Sequence, residues 1–327
     1  MPGSSDAITD LRAALGNFLD RDREDGVLHV EWGGPGSVSA LADLDMPELH
    51  LDLMPGVLTP AQQAALTGLG YVPEGEGWRH PGGWRVVLPD EGSGWRGRQK
   101  ALGALLHADD EAARQYCEVF RRSGRDAADA ALQDQAAAHN ARAVGWTPAR
   151  FVAELLTPLD WPWMFAGGLA LDLHLGHLTR PHDDLDVIVP RDRQPELRAL
   201  LSREGWRTDA AVGGMYRAWT APLDPPAFQV HARSPELPDS LLLDLMLTDL
   251  SGGLWRYRRD PSIVLPLEQA RRVTSGGLPY LAPEAALLFK AGRAGQPIRP
   301  KDRDDAARVL PTLDSAARAW LRHTVSN

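Results

Sequence analysis

The sequence predicts an α/β (α+β) fold, in which two domains each combine a small mixed sheet with helices, followed by a C-terminal helical tail. Short strand-like runs alternate with amphipathic helical stretches along most of the chain, and residues from about 281 to 325 have helical spacing. A length of 327 residues fits two domains of ordinary size. We place these domains at residues 1–145 and 146–327.

The first domain begins with apolar residues at helical spacing, from Ile8 to Phe18, which predict a helix. Thr59 is a favoured N-cap residue and Pro60 a favoured first helical residue, so a second helix is expected from there to about Leu69. The remaining predicted elements are strands at 27–32 and 48–54, a hairpin at 78–84 with a strand through Leu88, and two or three alanine-rich helices within 94–140.

The second domain is organised around residues 161–189, which predict a strand, a glycine turn, a helix and a second strand in succession. The first strand spans Met164–Ala166 and leads into the turn at Gly167–Gly168. Leu169–Gly176 has the spacing of a short amphipathic helix, and its final glycine can end that helix. The next strand, Asp184–Val189, begins with two carboxylates that are separated by one residue.

Asp184 and Asp186 project from the same face of this strand, because alternate residues of a strand share a face. Two neighbouring carboxylates repel each other unless a cation compensates them, and Mg²⁺ prefers carboxylate oxygens together with phosphates. The glycine turn at a helix N-terminus can in turn hold a phosphate through backbone N–H groups. The combination predicts a nucleoside triphosphate held through Mg²⁺, whereas the Asp-x-Asp pair alone fits an exposed strand start equally well.

A third carboxylate interrupts a later apolar strand. Leu241–Leu247 is apolar except for Asp244 at its centre. A buried carboxylate is costly unless it is paired or binds a metal, so Asp244 is a candidate third acid. The other elements predicted here are a helix at 193–204, strands at 206–208, 216–220 and 228–232, and helices between Pro283 and about His323.

Charge and composition narrow the classes of function. The formal net charge of −9 disfavours sequence-independent binding to duplex nucleic acid, although a local basic groove for RNA stays open. No apolar run approaches the ~18 residues that span a membrane, and the N-terminal residues lack the features of a secretion signal. We therefore expect a cytoplasmic protein without a membrane partner.

Residues 161–327 resemble the nucleotidyltransferase superfamily with the DNA polymerase beta-like fold, and most closely its aminoglycoside adenylyltransferase-like branch. The superfamily pattern is an apolar residue before Gly-Gly or Gly-Ser, then Asp-apolar-Asp/Glu, then a third acid on a later strand. The chain supplies Ala166-Gly167-Gly168, Asp184-Leu185-Asp186 and Asp244. The stretches that resemble the branch are 179–187, 255–261, 278–284 and 299–305.

The resemblance implies a Mg²⁺-dependent transfer of NMP, with ATP as the expected donor of AMP, to a hydroxyl of a small acceptor such as an aminoglycoside. Pyrophosphate would leave. The implied catalytic and metal-binding residues are Asp184, Asp186 and Asp244, with two Mg²⁺ ions expected. The implied nucleotide-binding residues are Gly167, Gly168, Arg180 and Lys290.

Some of these residues have plainer explanations. Arg180 fits a salt bridge to Asp183 or Asp184 as well as it fits a phosphate contact. Lys290 fits a solvated lysine at a helix C-terminus. Lys301 and Asp302 also match the family, but a charged helix N-terminus explains them nearly as well. The basic cluster of Arg256, Arg258 and Arg259 is consistent with a solvated face.

Residues 1–145 resemble the GrpB family, itself a divergent nucleotidyltransferase-like fold, most clearly in 95–106 and 111–116. The glycine-rich turn at 33–37 and Asp52 follow that family's pattern only in part. Asp43-Leu44-Asp45 has the spacing of an acid pair but lies in a loop-like stretch. We therefore expect a non-catalytic domain that is structural or shapes the substrate site, with a second active site as the alternative.

The sequence leaves the identity of the acceptor open. Transfer to a protein or to an RNA end is one alternative, and a non-catalytic, nucleotide-binding regulatory protein is another. A regulatory protein has little need for three acids. Base preference and oligomeric state follow from no feature of the sequence.

Overall fold

The structure is a computed structural model, and it describes residues 4–18, 25–44, 47–54, 58–75, 77–88, 94–213, 215–234, 242–292 and 297–326. The chain divides into two compact units. The first comprises Met1–Gly145 with Thr179–Asp183, and the second comprises Trp146–Leu178 with Asp184–Asn327. Within the described ranges, no helix is both long enough and apolar enough to cross a bilayer.

The first unit combines a mixed sheet with five helices among its described residues. Its strands are β1 (Gly26–Trp32), β2 (Glu48–Met54), β3 (Val72–Glu74), β4 (Gly77–Arg79) and β5 (Arg85–Val87). Its helices are α1 (Ser4–Leu15), α2 (Pro60–Gly68), α3 (Trp95–Ala108), α4 (Asp110–Ser123) and α5 (Arg125–Ala143). The strand order is β1-β2-β5-β4-β3, and the β2–β5 pair is parallel.

Most elements predicted for this unit are confirmed. Thr59 caps α2 in a capping box with Gln62, as its residue type indicated. Helix α1 ends at Leu15 and not at Phe18, because Gly16 adopts a left-handed φ of 77° that ends a helix. The short strand β3 was not predicted, since it contains Pro73 and all three of its residues are exposed.

One face of the β1–β2 ladder is polar. His29 pairs with Asp52 and Glu31 with His50 in the antiparallel register, while Leu49 and its alternate neighbours pack in the core. Asp52 forms an ion pair with Arg96 of α3. Asp43 and Asp45 have the spacing of an acid pair, but the sequence predicted a loop-like stretch there. Asp43 lies in a 3₁₀ segment, Ser39–Leu44, where it contacts the exposed Arg121, and Asp45 lies outside the described residues.

Glu48, which lies on this polar face, makes the fold less stable at acid pH. Burial alone would raise the pKa of Glu48, but hydrogen bonds with His50 and Arg125 outweigh burial and lower the pKa from 4.5 to about 2. The stabilisation is therefore fully present above pH 4.5 and is lost as the pH falls towards 2. This shift corresponds to about 3 kcal/mol. Urea unfolding between pH 7 and pH 3 should show a steeper loss for the wild type than for Glu48→Gln, and parallel curves would contradict the assignment.

The second unit contains an eight-stranded sheet and a separate hairpin among its described residues. Its strands are β6 (Met164–Phe165), β7 (Asp184–Pro190), β8 (Arg207–Val212), β9 (Met215–Ala218), β10 (Gln229–Arg233), β11 (Leu242–Thr248), β12 (Leu254–Arg256), β13 (Val264–Pro266), β14 (Arg271–Val273) and β15 (Pro279–Leu281). Its helices are α6 (Thr147–Leu156), α7 (Gly167–Leu175), α8 (Gln194–Arg203), α9 (Leu267–Ala270), α10 (Pro283–Lys290), α11 (Pro300–Val309) and α12 (Ser315–Ser326).

The large sheet has the order β14-β15-β6-β7-β11-β10-β8-β9. Strands β7 and β11 lie side by side and run parallel, and β10 pairs antiparallel with β11. Helices α6 and α8 cover one face of this sheet, where Leu185 and Val187 are buried. Residues of α7 and of α10–α12 cover the other face, where Ile188 and Met246 are buried.

The predicted strand, turn, helix and strand are confirmed as β6, α7 and β7. Helix α7 begins at Gly167, two residues earlier than predicted, and Gly176 ends it with a left-handed φ of 79°. Strand β11 spans Leu242–Thr248 among the described residues, and Leu241, where the predicted strand began, lies outside them. The predicted α/β (α+β) class and the helical tail are confirmed. The edge strand β14, its neighbour β15 and the hairpin β12–β13 were not predicted, because three-residue strands are too short to show alternation.

Candidate active site

The three predicted acids lie on one face of two adjacent strands. Asp186 of β7 pairs with Asp244 of β11 in the parallel register, and Asp184 lies two residues before Asp186. Paired residues of neighbouring strands project to the same face, and so do alternate residues of one strand. The intervening Leu185 is buried in the core on the opposite face. The structure therefore brings together the acids that the sequence singled out.

The glycine turn approaches these acids closely. Gly167 has a left-handed φ of 58°, and a Cβ atom there would lie 1.7 Å from Oδ2 of Asp186. The backbone N–H of Ala166 donates to the carbonyl oxygen of Asp186 at 2.8 Å, which joins the start of α7 to β7. Gly168 is the second residue of α7 and is buried. The first N–H groups of a helix have no acceptor within it, so this end of α7 favours an anion.

The surroundings oppose negative charge on the acids. Enclosure by the protein raises the pKa of Asp186 well above its usual range, and the Asp184 and Asp244 carboxylates raise it further. Burial raises the pKa of Asp244 to about 7, and Asp184 adds to this effect. Hydrogen bonding by Gln229 and the charge of Arg258 oppose the shift of Asp244. Three carboxylates so placed are a site for compensating positive charge.

Cations of the helical tail and of a nearby loop act on this group of acids. Lys290 and Arg258 both lower the pKa of Asp186 through their charge. The pKa of Arg299 is raised mainly by a hydrogen bond with Asp302, and the charges of Asp184 and Asp186 raise it further. The sequence was consistent with a solvated face at Arg256, Arg258 and Arg259, whereas in the structure the charge of Arg258 lowers the pKa of Asp186.

Lys290 is buried and not solvated. Its side chain is 8% exposed, and its Nζ lies 3.0 Å from Oδ1 of Asp302 and 2.7 Å from Oδ2 of Asp305. Both aspartates belong to α11 and are themselves buried. Asp302 is therefore an ion-pair partner of Lys290, a contact that the charged N-terminus of α11 did not reveal at the sequence level. Sequence reasoning missed Asp305 altogether.

Replacing Lys290 should destabilise the fold. Lys290→Met leaves the buried Asp305 carboxylate without its closest cation, and breaking a buried pair in this way costs about 3 kcal/mol. We expect urea denaturation to show a loss of that size at pH 7. Arg303→Met, which removes an exposed cation of the same helix α11, should change the free energy of unfolding by less than about 0.5 kcal/mol. Equal effects of the two substitutions would contradict the structural role of Lys290.

Strand β10 adds two side chains that the sequence did not indicate. Gln229 Nε2 donates to Oδ2 of Asp244 at 2.7 Å. His231 pairs with Asp244 in the ladder, and its Nε2 lies 3.9 Å from Oδ1 of that residue. Burial and the charge of Arg233 lower the pKa of His231 to about 3, so its imidazole is neutral. A glutamine and a histidine on a five-residue strand carry no motif, and only the strand register reveals their position.

Arg180 lies in Thr179–Asp183, the segment whose contacts assign it to the first unit. Its Nη1 donates to the carbonyl oxygen of Pro181 at 3.1 Å. In the same segment, Asp183 accepts a hydrogen bond of 2.8 Å from the backbone N–H of Gly97. The contact of Asp183 joins this segment to α3 of the same unit, and the role of Arg180 towards a nucleotide stays a prediction.

The donor chemistry of the acids fits a divalent cation that prefers oxygen ligands. Oδ1 of Asp244 is buried and has no hydrogen-bond partner, which is costly for a carboxylate oxygen that binds nothing. In the part of the chain that the structure describes, however, no three His, Cys, Asp or Glu side chains are gathered as a complete metal site. The three acids lie on one face of the sheet and interact electrostatically, but they are not preassembled as a set of metal ligands.

Comparison with known proteins finds relatives for the segment that contains the glycine turn and the first two acids. Residues 150–215 match the family model of aminoglycoside-2''-adenylyltransferase. This segment is similar to the aminoglycoside 2''-adenylyltransferases. The resemblance inferred from the sequence is thereby confirmed over this segment. The adenylyltransferase-like segment contains α7 and β7, whereas Asp244 and Lys290 lie beyond it.

A 2''-aminoglycoside nucleotidyltransferase of Klebsiella pneumoniae is 44% identical over 64 residues, which are 19% of this chain and 36% of that protein. The chain thus matches about a third of the length of this curated relative. Among solved structures, ANT(2'')-Ia in complex with adenylyl-2''-tobramycin has 19% identity and a TM-score of 0.39, covering 55% of this chain and 97% of that one. The lincomycin-bound lincosamide antibiotic adenylyltransferase LnuA has 17% identity and a TM-score of 0.39, covering 51% and 97%.

Proposed function

We propose that this protein is a nucleotidyltransferase that moves NMP, with AMP from ATP as the first candidate, to a hydroxyl of a small acceptor. The single observation that carries the proposal is the placement of Asp184, Asp186 and Asp244 on one strand face, against the glycine start of α7. The relatives of residues 150–215 are an aminoglycoside-2''-adenylyltransferase family and a 2''-aminoglycoside nucleotidyltransferase, which supports this reaction and suggests an aminoglycoside as the first acceptor to test.

The nucleotide would lie between anion-binding and cation-binding groups. The N-terminus of α7 at Gly167 and Gly168 favours the negative triphosphate through its backbone N–H groups. The charges of Lys290 and Arg258 lower the pKa of Asp186, so the same two cations would attract a phosphate bound beside Asp186. Arg180 is proposed as a further phosphate contact on the basis of the family resemblance alone.

Asp184, Asp186 and Asp244 would hold Mg²⁺, with two ions expected from the resemblance. When bound, Mg²⁺ supplies neutralisation of the charge on the phosphates and on the attacking and leaving oxygens. With the cation held by these carboxylates, the acceptor hydroxyl would attack the α-phosphorus in line. A bond would form between the acceptor oxygen and the α-phosphorus. The bond from the α-phosphorus to the oxygen that bridges to the β-phosphorus would break, and pyrophosphate would leave.

Asp244 is the carboxylate best placed to take the proton of the acceptor. Its Oδ1 is buried and has no hydrogen-bond partner, so this oxygen can accept a hydrogen bond from the acceptor hydroxyl. Its second oxygen is held by Gln229, so the carboxylate cannot turn freely. We propose that Asp244 orients the acceptor hydroxyl and receives its proton at Oδ1.

The proposal is tested by incubating the protein with α-labelled ATP, CTP, GTP or UTP, Mg²⁺ and a panel of aminoglycosides. Separate reactions contain a small-molecule extract or RNA as the acceptor. The account predicts label on a small hydroxyl compound, one pyrophosphate released per product, and loss of both signals in Asp184→Asn with Asp186→Asn. Nucleotide binding without any transfer or pyrophosphate release would overturn the enzymatic assignment and leave a regulatory nucleotide-binding protein.

A further inference from the structure

The two carboxylate oxygens of Asp244 have different surroundings. Oδ2 accepts a hydrogen bond of 2.7 Å from the amide of Gln229. Oδ1 is buried and has no hydrogen-bond partner. The nearest imidazole nitrogen, Nε2 of His231, lies 3.9 Å away, which is beyond hydrogen-bond distance. One oxygen is therefore held by the protein, and the other is left for a ligand.

Strand spacing explains this arrangement. Gln229 and His231 are alternate residues of β10 and share a face, and His231 is the direct ladder partner of Asp244. Gln229 is the ladder partner of Met246, so its longer side chain reaches diagonally to the carboxylate. Tyr216 packs against His231 from β9, with ring centroids 4.9 Å apart, and this contact limits rotation of the imidazole.

The chemical type of the donor matters as much as its place. A glutamine amide is neutral, so it fixes the direction of a carboxylate without cancelling its charge. An arginine or lysine at the same position would hold the oxygen more strongly but would compete with a cation ligand for the negative charge. Supporting side chains that orient ligating carboxylates are a general feature of metal sites.

We propose that Gln229 is a positioning residue that holds Oδ2 of Asp244 and thereby presents Oδ1 to the cation and the acceptor. This inference rests on the proposed function, in which Asp244 contacts both. Gln229 itself touches neither the nucleotide nor the acceptor in this assignment. Its effect is transmitted through the direction of one carboxylate.

The test compares Gln229→Met, which keeps the length of the side chain and removes the donor, with Thr248→Val. Thr248 is buried on the neighbouring strand β11 and donates to the carbonyl oxygen of Met246, so its variant also loses one buried hydrogen bond. The binding readout is the Mg²⁺ concentration that gives half-maximal binding of labelled α,β-methylene-ATP, which cannot transfer its nucleotide. We expect a rise of roughly tenfold for Gln229→Met and no change for Thr248→Val.

Kinetics provide a second readout that a purely structural role would not move. Per folded molecule and at saturating Mg²⁺, kcat of Gln229→Met should fall roughly tenfold, while KM for the nucleotide changes less than twofold. Gln229→Asn withdraws the amide by one methylene group and should show the same pattern. This second variant keeps the test informative if Gln229→Met fails to fold.

Different results would overturn the positioning role of Gln229 and the proposed transfer reaction. Wild-type Mg²⁺ dependence and kcat in both Gln229 variants, combined with loss of binding in Asp186→Asn, would overturn the positioning role and leave the proposed function intact. Unchanged Mg²⁺-dependent nucleotide binding in Asp184→Asn with Asp186→Asn would overturn the proposed function itself.

Discussion

Asp186→Asn should abolish nucleotidyl transfer while leaving the folded protein at least as stable as the wild type. Asp186 lies at the centre of the acids, beside Asp244 in the ladder and beneath the glycine start of α7. Loss of a carboxylate that holds the divalent cation removes several kcal/mol of transition-state stabilisation, so kcat should fall roughly 10³-fold or more. The transfer of label from α-labelled ATP measures this change.

The same substitution should not weaken the fold. Enclosure by the protein and the neighbouring carboxylates raise the pKa of Asp186, which means that the folded state disfavours its charged form. Asparagine has nearly the same shape and removes the repulsion, so the Tm without Mg²⁺ should be unchanged or higher. Asp192→Asn, at an exposed position of the same unit, is the control and should alter neither property. Activity within threefold of wild type in Asp186→Asn would contradict the assignment.

Gly167→Ala should remove activity by displacing a catalytic carboxylate. The added Cβ would lie 1.7 Å from Oδ2 of Asp186, a distance at which one of the two groups must move. The φ of 58° at Gly167 adds strain for any residue with a side chain. We expect a loss of kcat of roughly 100-fold or more, because a misplacement of about 1 Å at the reacting groups can cost that much.

Gly176→Ala separates the two effects. Gly176 ends the same helix with a φ of 79°, and an added Cβ there meets no atom within 4 Å. Both variants should lose about 1 kcal/mol of stability to backbone strain. Gly167→Ala should lose more because of the overlap with Asp186, and it alone should also lose activity per folded molecule. Circular dichroism melts and initial rates measure the two effects. Equal activity in the two variants would show that the close approach of α7 to Asp186 is not needed for function.

The features that sequence predicted are those set by local spacing. Asp184 and Asp186 are alternate residues of one strand, and Gly167 begins the helix that precedes it, so a stretch of about two dozen residues contains the whole pattern. Asp244 was found because a single carboxylate in an apolar strand is conspicuous. Gly176 ended α7 as a helix-terminating glycine should.

The features that sequence missed depend on contacts between distant residues. Gln229 reaches Asp244 only because β10 pairs antiparallel with β11 in one register, and no local pattern specifies that register. Lys290 was consistent with a solvated helix end, and its burial follows from two aspartates of a different helix. Arg258 belongs to a cluster of arginines that is typical of a solvated surface, yet in the folded chain its charge lowers the pKa of Asp186.

The acids of the first unit differ from those around Asp186, because cations compensate them. Its polar strand face pairs acids with cations, as Asp52 with Arg96 and Glu48 with Arg125. Acids compensated in this way have less need of a metal ion than the group around Asp186. We propose that residues 1–145 form a non-catalytic domain, and removal of the Asp52 carboxylate should therefore leave nucleotide binding by the protein intact.

The most direct test of the central claim is a crystal structure of the protein with α,β-methylene-ATP and Mn²⁺, in which anomalous scattering locates the metal. If these acids hold the cation, we expect an anomalous peak about 2.1 Å from carboxylate oxygens of Asp184, Asp186 and Asp244. We also expect the triphosphate to lie against the N-terminus of α7. A nucleotide bound elsewhere, or a metal that contacts none of these three carboxylates, would contradict the central claim.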